Sequence, residues 1–120
     1  MSANVILVED HASFRNAMAL LLQREGLKVI GQAGTLAEAR QLLTSDTNVA
    51  VVDLGLPDGS GIELIQELRE LNPESITLVL SASIDPEAEA SALKAGAAEA
   101  LHKTDGIIEV VEAVKAAVAR

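Results

Sequence analysis

The chain has 120 residues, of which 49% are hydrophobic, and a formal net charge of -9. That length fits one compact domain and that composition supplies a real core, which excludes both a second domain and a disordered tail. The lack of cysteine excludes disulfides and thiolate metal sites, and an acidity unbroken by any Lys/Arg cluster argues against direct nucleic-acid binding by this chain.

Phe14 is the only aromatic residue, so the core must be aliphatic. No stretch approaches the roughly 20 apolar residues of a membrane span. The apolar run at 5–8 is too short for a secretory signal and runs straight into Glu9 and Asp10. A cytoplasmic protein without membrane association is therefore expected, in keeping with the absence of cysteine.

Short apolar runs alternate with helix-period segments along the whole chain. Residues 5–8 form a continuous apolar run, the pattern of a strand covered on both faces. Phe14, Ala17, Met18, Leu21 and Leu22 then share one helical face, closed by Gly26. Residues 27–30 read as a second strand. Thr35 and Glu38 have the spacing of a capping box ahead of Ala39, Leu42 and Leu43.

A third strand at 49–52 runs into Asp53. After a Pro/Gly-rich loop, Ser60 and Glu63 suggest a second capping box, opening a helix with Ile62, Ile65 and Leu68 inward and ending at Asn72-Pro73. The fourth strand covers 76–80. Asp85-Pro86 opens the next helix and Gly96 closes it. A fifth strand covers about 98–102, and Ile107, Val111, Val114 and Val118 line one face of the last helix. Five strand–helix units in succession predict an α/β fold, a parallel sheet with helices on both faces and right-handed crossovers. The alanine-rich segment 82–100 has little large apolar surface to bury and should be among the less stable regions.

In open parallel sheets, ligands bind at the carboxyl ends of the strands. Those ends here carry Glu9 and Asp10, then Asp53, Ser81 and Lys103. Singly, each would read as a helix cap, a turn residue or a surface charge; together they put three carboxylates, a hydroxyl and an ammonium on one sheet edge. Carboxylates so close repel one another unless a cation is present. Oxygen ligands without cysteine favour a hard ion, Mg2+ above all. A carboxylate can attack a phosphoryl group when a metal and a fixed cation offset the gathering negative charge. Asp53, alone at a central strand end, suits the nucleophile. Glu9 and Asp10 suit metal holding, Lys103 suits pairing with Asp53 or the phosphoryl oxygens, and Ser81 can bond a phosphoryl oxygen. Neither His11 nor His102 has helical metal spacing, so both are read as loop and edge-strand residues, His11 with at most a weak influence on metal binding or pH response.

This constellation resembles the receiver domains of two-component response regulators, over essentially the whole chain. The acidic pair is Glu9-Asp10. The phosphoacceptor motif is Asp53 followed by Pro57 and Gly61, the hydroxyl is Ser81 followed by Ala82, and the lysine is Lys103. The run from Val8 to Arg15 and the loop from Leu56 to Gly61 resemble receivers of the LuxR/NarL type. The resemblance implies a flavodoxin-like (CheY-like) doubly wound sheet in the order 2-1-3-4-5. It further implies phosphorylation of Asp53 by a sensor histidine kinase with Mg2+, and the Gly55 carbonyl as a further metal ligand. The fourth helix, fifth strand and fifth helix would form the output face. A transcriptional output through a C-terminal helix-turn-helix DNA-binding domain, and a phosphorylation-dependent homodimer, also follow from it. The chain is then either a fragment of a transcription factor or a stand-alone receiver.

Two positions depart from that family. Ala100 stands where the family usually has Tyr or Phe, so no ring can change its packing when the hydroxyl is drawn inward. Lys103 is followed by Thr104 rather than Pro, and a non-proline cis peptide costs about 2.5–4 kcal/mol, so none is expected there. An alternative is a degenerate receiver serving as a constitutive interaction module, which Ala100 alone supports. A phosphohydrolase with an aspartyl nucleophile would need a second Asp where Gly55 stands. A flavin mononucleotide site would need a Ser/Thr-rich phosphate loop and a Trp or Tyr, and the chain has neither.

Overall fold

A computed structural model describes residues 3–82 and 85–119. The apolar runs become five parallel strands: β1 (Asn4–Val8), β2 (Lys28–Ala33), β3 (Val49–Asp53), β4 (Ile76–Ser81) and β5 (Glu99–His102). They pair in the order β2-β1-β3-β4-β5, the predicted order. Helices α1 (Ala12–Arg24), α2 (Leu36–Leu42), α3 (Ile62–Leu71), α4 (Pro86–Ala95) and α5 (Ile107–Val118) alternate with them.

The uninterrupted hydrophobicity of β1 has a direct cause, because successive residues point to opposite faces and both faces are covered. Val5 and Leu7 join Met18, Ala19 and Leu22 of α1 and Val110, Val111, Val114 and Ala117 of α5. Ile6 and Val8 join Leu36 and Ala39 of α2 and Leu64 and Leu68 of α3. Each large aliphatic side chain buried this way contributes about 1.5–3 kcal/mol. A smaller cluster of Ile65, Val79, Ala92 and Ala97 seats α4, which has a single fully buried side chain, Ala92.

Several boundaries differ from the sequence reading. Strand β2 begins at Lys28 rather than Leu27 and runs to Ala33, because it pairs along all of β1. A register shift between Val5 and Ile6 takes up Ile30 as the extra residue. The box at Thr35 is only half formed. Thr35 Oγ1 accepts the Glu38 N–H at 3.1 Å, but the Glu38 carboxylate accepts from Gly34 instead of Thr35. At α3 the expected Ser60 box is absent. Gly61 occupies the N-cap, Ser60 Oγ accepts from Ile62 at 3.2 Å, and Glu63 turns outward to Arg40. Helix α4 starts as read, with Asp85 Oδ1 accepting the Ala88 N–H at 3.1 Å, and it stops at Gly96, whose φ of 121° suits a residue without Cβ. Of the segment expected to be weakly held, residues 83 and 84 lie outside the described residues. No described peptide bond is cis, and no helix among the described residues is long and apolar enough to cross a membrane.

Candidate functional site

The chain reverses between β1 and β3, which are neighbours in the sheet while their flanking strands lie on opposite sides. A crevice opens at such a point beyond the carboxyl ends of the strands. Glu9, Asp10 and Asp53 arrive there, with Ser81 and Lys103 completing the rim. The five side-chain candidates from the sequence thus share one end of the sheet.

Glu9 extends the ladder, its N–H donating to Ala33 O at 2.8 Å. Its side chain is fully buried and turns back across the sheet edge, while Asp10 is exposed. Two contacts fix this turn. The His11 N–H donates to Glu9 Oε2 at 2.9 Å, and Arg15 Nη1 donates to the Glu9 carbonyl at 2.6 Å. His11 is itself the N-cap of α1, its Nδ1 accepting the Phe14 N–H at 3.2 Å. His11 thus caps α1, which begins where the acidic pair ends.

Asp53 is the last residue of β3 and only 2% exposed. Its Oδ1 accepts the Gly55 N–H at 2.8 Å, and its Oδ2 accepts from Lys103 Nζ at 2.7 Å. The following loop is pinned at three places. Leu54 N–H donates to Leu80 O, a short ladder joins Gly55–Leu56 to Gly59–Ser60, and Gly61 lies against β3. A Cβ at Gly61 would stand 2.2 Å from the Asp53 carbonyl and 2.5 Å from Val52 Cγ1, so close approach explains this glycine. Asp58 reaches from the loop to the start of α2, its oxygens accepting from Leu36 at 2.7 Å and Ala37 at 3.1 Å. Those hydrogen bonds hold its carboxyl below the ordinary carboxylate range.

Lys103 opens a short 3-10 turn directly after β5. Its Nζ donates to Glu9 Oε2 at 2.9 Å as well as to Asp53. Glu9 Oε1 is buried 2.8 Å from the same ammonium, so both oxygens of this carboxylate lean on Lys103. Burial is the main cause that pushes the Glu9 carboxyl up to about 7 from an ordinary 4.5. The Lys103 and His11 donors pull it down, and the Asp53 charge pushes it further up. For Lys103, burial opposes the charge, but the hydrogen bonds to Asp53 and Glu9 outweigh it and raise its pKa.

Oxygens of Glu9, Asp10 and Asp53 lie within 4.8 Å of one another. Three carboxylates against one ammonium leave negative charge to spare. This donor set fits a hard divalent cation held by oxygen ligands that keeps some of its waters. Beside it lies a cavity of about 580 Å3, lined by Asp10, Asp53, Gly55, Ser81, Asp85 and Lys103 among others. Ser81, 7% exposed at the end of β4, faces this space across from Asp53. The arrangement can present a fixed carboxylate to an electrophile while the Lys103 ammonium offsets part of the charge.

A parallel α/β domain with an acidic cluster and a lysine at the carboxyl edge of its sheet is therefore the class defined by fold and site. The chain belongs to the response regulator receiver domain family, whose model matches residues 5–115. It is 38% identical over 113 residues to the DNA-binding transcriptional activator DevR/DosR of Mycobacterium tuberculosis, covering 92% of this chain and 52% of that protein. It also resembles the solved two-component response regulator of the LuxR family from an Aurantimonas species. That match has 28% identity and a TM-score of 0.86, over 99% of this chain and 86% of that one. A response regulator from Burkholderia pseudomallei, solved with a phosphorylated aspartic acid, a calcium ion and citrate, matches at 28% identity with a TM-score of 0.82. It covers 96% of this chain and 72% of that one. The chain is thus a CheY-like receiver domain of a two-component response regulator, with relatives that regulate transcription. It spans about half the length of the curated relatives it matches.

Proposed function

We propose that the chain is a phosphoacceptor whose Asp53 takes a phosphoryl group from a sensor histidine kinase. The observation carrying this reading is the pinning of Asp53. One oxygen is held by the Gly55 N–H and the other by Lys103, at the base of a cavity that can admit a phosphoryl group. A carboxylate so fixed needs no reorganisation before attack. A carboxylate oxygen of Asp53 bonds to phosphorus as the bond from phosphorus to the donor nitrogen breaks. The electron pair of that bond stays on the imidazole of the donor.

Lys103 stays beside the new acyl phosphate and offsets part of its charge, and Ser81 donates its hydroxyl to a phosphoryl oxygen in this reading. Glu9, Asp10, Asp53 and the Gly55 carbonyl would hold Mg2+, which supplies further neutralisation of the transferring group. Hydrolysis of the acyl phosphate resets the domain, so it catalyses only its own phosphorylation and dephosphorylation. Phosphorylation adds about -1.5 to -2 charges to an acidic site, a local change able to bias a two-state element.

The output in this reading is transcriptional and lies outside this chain, in a helix-turn-helix domain, with pairing of two receivers upon phosphorylation. A net charge of -9 suits a regulatory module in the cytoplasm better than a DNA-contacting one. Incubation with a small phosphodonor and Mg2+ should raise the intact mass by one phosphoryl group in the wild type and not in Asp53→Asn. An unchanged wild-type mass refutes the proposal.

A further inference from the structure

Ala100 packs with Val79 and Ala92 on the face of β5 that meets α4, so position 100 itself has no ring to register events in the cavity. Two residues on, and on the same face, His102 lies in register with Ser81. Its Nε2 stands 2.9 Å from Glu89 Oε1 on α4. A carboxylate only accepts, so the imidazole donates from Nε2. The other oxygen, Glu89 Oε2, accepts the backbone N–H of Asp85 at 3.0 Å.

The placement of these partners matters. Asp85 is the N-cap of α4 and borders the cavity, while His102 directly precedes Lys103. One carboxylate therefore ties the cavity wall formed by α4 to the strand that delivers the ammonium to Asp53. The Glu89 and His102 side chains are 17% and 27% exposed, too shielded to be screened like an ordinary surface pair.

We propose that the Glu89–His102 bridge couples the cavity to α4 and β5, in place of the ring missing at position 100. The proposal rests on the phosphoacceptor reading of Asp53. A phosphoryl group there competes for Lys103 and engages Ser81, so it pulls on residues adjoining His102 both along β5 and across the sheet. The bridge transmits that pull to α4 because its other end is fixed at Asp85. A bridge that merely stabilised α4 would not respond to the occupant of the cavity.

The test is nuclear magnetic resonance on the isotope-labelled full chain, with Mg2+ and beryllium fluoride added as a phosphoryl mimic. In the wild type, the amides of Asp53, Gly55 and Lys103 should shift, and with them the His102 imidazole and the amides of Ala92 and Leu93. In Glu89→Ala the site should still respond while the α4 shifts are lost. His102→Ala leaves the Asp85 contact in place but cuts the bridge from the other end, and should lose the same α4 shifts. An α4 response as large in both variants as in the wild type overturns the bridge, as does an unmoved His102 in a responding wild type. A wild type in which even Asp53 and Gly55 stay silent overturns the phosphoacceptor reading, and the bridge with it.

Discussion

Lys103 reaches across 50 positions of sequence to donate to Asp53 Oδ2 at 2.7 Å, and the same ammonium stands between Asp53 and the buried carboxylate of Glu9. Two buried acids thus share one cation, and the energetics of the site follow from that sharing. Breaking it from either side exposes a carboxylate to its neighbour's charge in a region poorly reached by water.

The pH dependence of stability is the first consequence. Glu9 is held at about 7 in the folded chain against an ordinary 4.5, so the native state binds its proton more tightly than the unfolded state. Its contribution is complete below about pH 4.5 and is lost as pH rises to about 7, a change of roughly 3 kcal/mol. Urea unfolding in chelator should show this fall in the wild type and not in Glu9→Gln. Because a metal requires the ionised form, apparent Mg2+ affinity should rise over the same interval. In Lys103→Met the largest influence lowering the Glu9 pKa is gone, so its carboxyl carbon should titrate above 7. Equal pH profiles for wild type and Glu9→Gln would refute the assignment.

Gly61 and Gly55 should differ in their tolerance of alanine. At Gly61 the new methyl meets backbone at 2.2 Å, and the overpacking should cost about 1–3 kcal/mol or more. At Gly55 its nearest neighbour is Asp53 Oδ1, at an ordinary 3.8 Å. Denaturation midpoints should therefore drop for Gly61→Ala and stay close to wild type for Gly55→Ala.

The Asp58 cap should be detectable as a difference between two variants. Asp58→Ala removes an acceptor for both the Leu36 and Ala37 N–H groups, while Asp58→Asn keeps one oxygen for them. The urea midpoint should fall more in the first than in the second. Since the folded pKa lies below 3.8, the stability that Asp58 supplies is present above that pH and is lost as pH falls through the folded value.

Hydrogen exchange should find α4 among the early-opening elements. It has one fully buried side chain, whereas every residue of β3 is buried. Equal protection of α4 and β3 would contradict this.

The sheet and the membership of the site were legible because both depend on local pattern. Apolar runs marked the strands, and the residues that end them marked the crevice. The polar contacts that hold the site rigid were not legible, because their partners are remote in sequence or of unusual type. Asp58 caps a helix 22 positions upstream, and Glu89 meets His102 only once α4 lies against β5. Arg15 binds a backbone carbonyl, which no side-chain pattern announces, and histidine is not a usual N-cap, so His11 passed as a loop residue. The Ser60 and Glu63 spacing misled because a better partner, Arg40 of α2, captured the Glu63 carboxylate.

The most direct test of the central claim locates the phosphoryl group rather than merely detecting it. After reaction with a small phosphodonor and Mg2+, reduction of the acyl phosphate with borohydride marks the modified carboxylate for peptide mass spectrometry. The mark should fall on Asp53, require a divalent cation, and be absent from Asp53→Asn. A mark on Glu9 or Asp10 in the wild type, or none at all, would contradict the account.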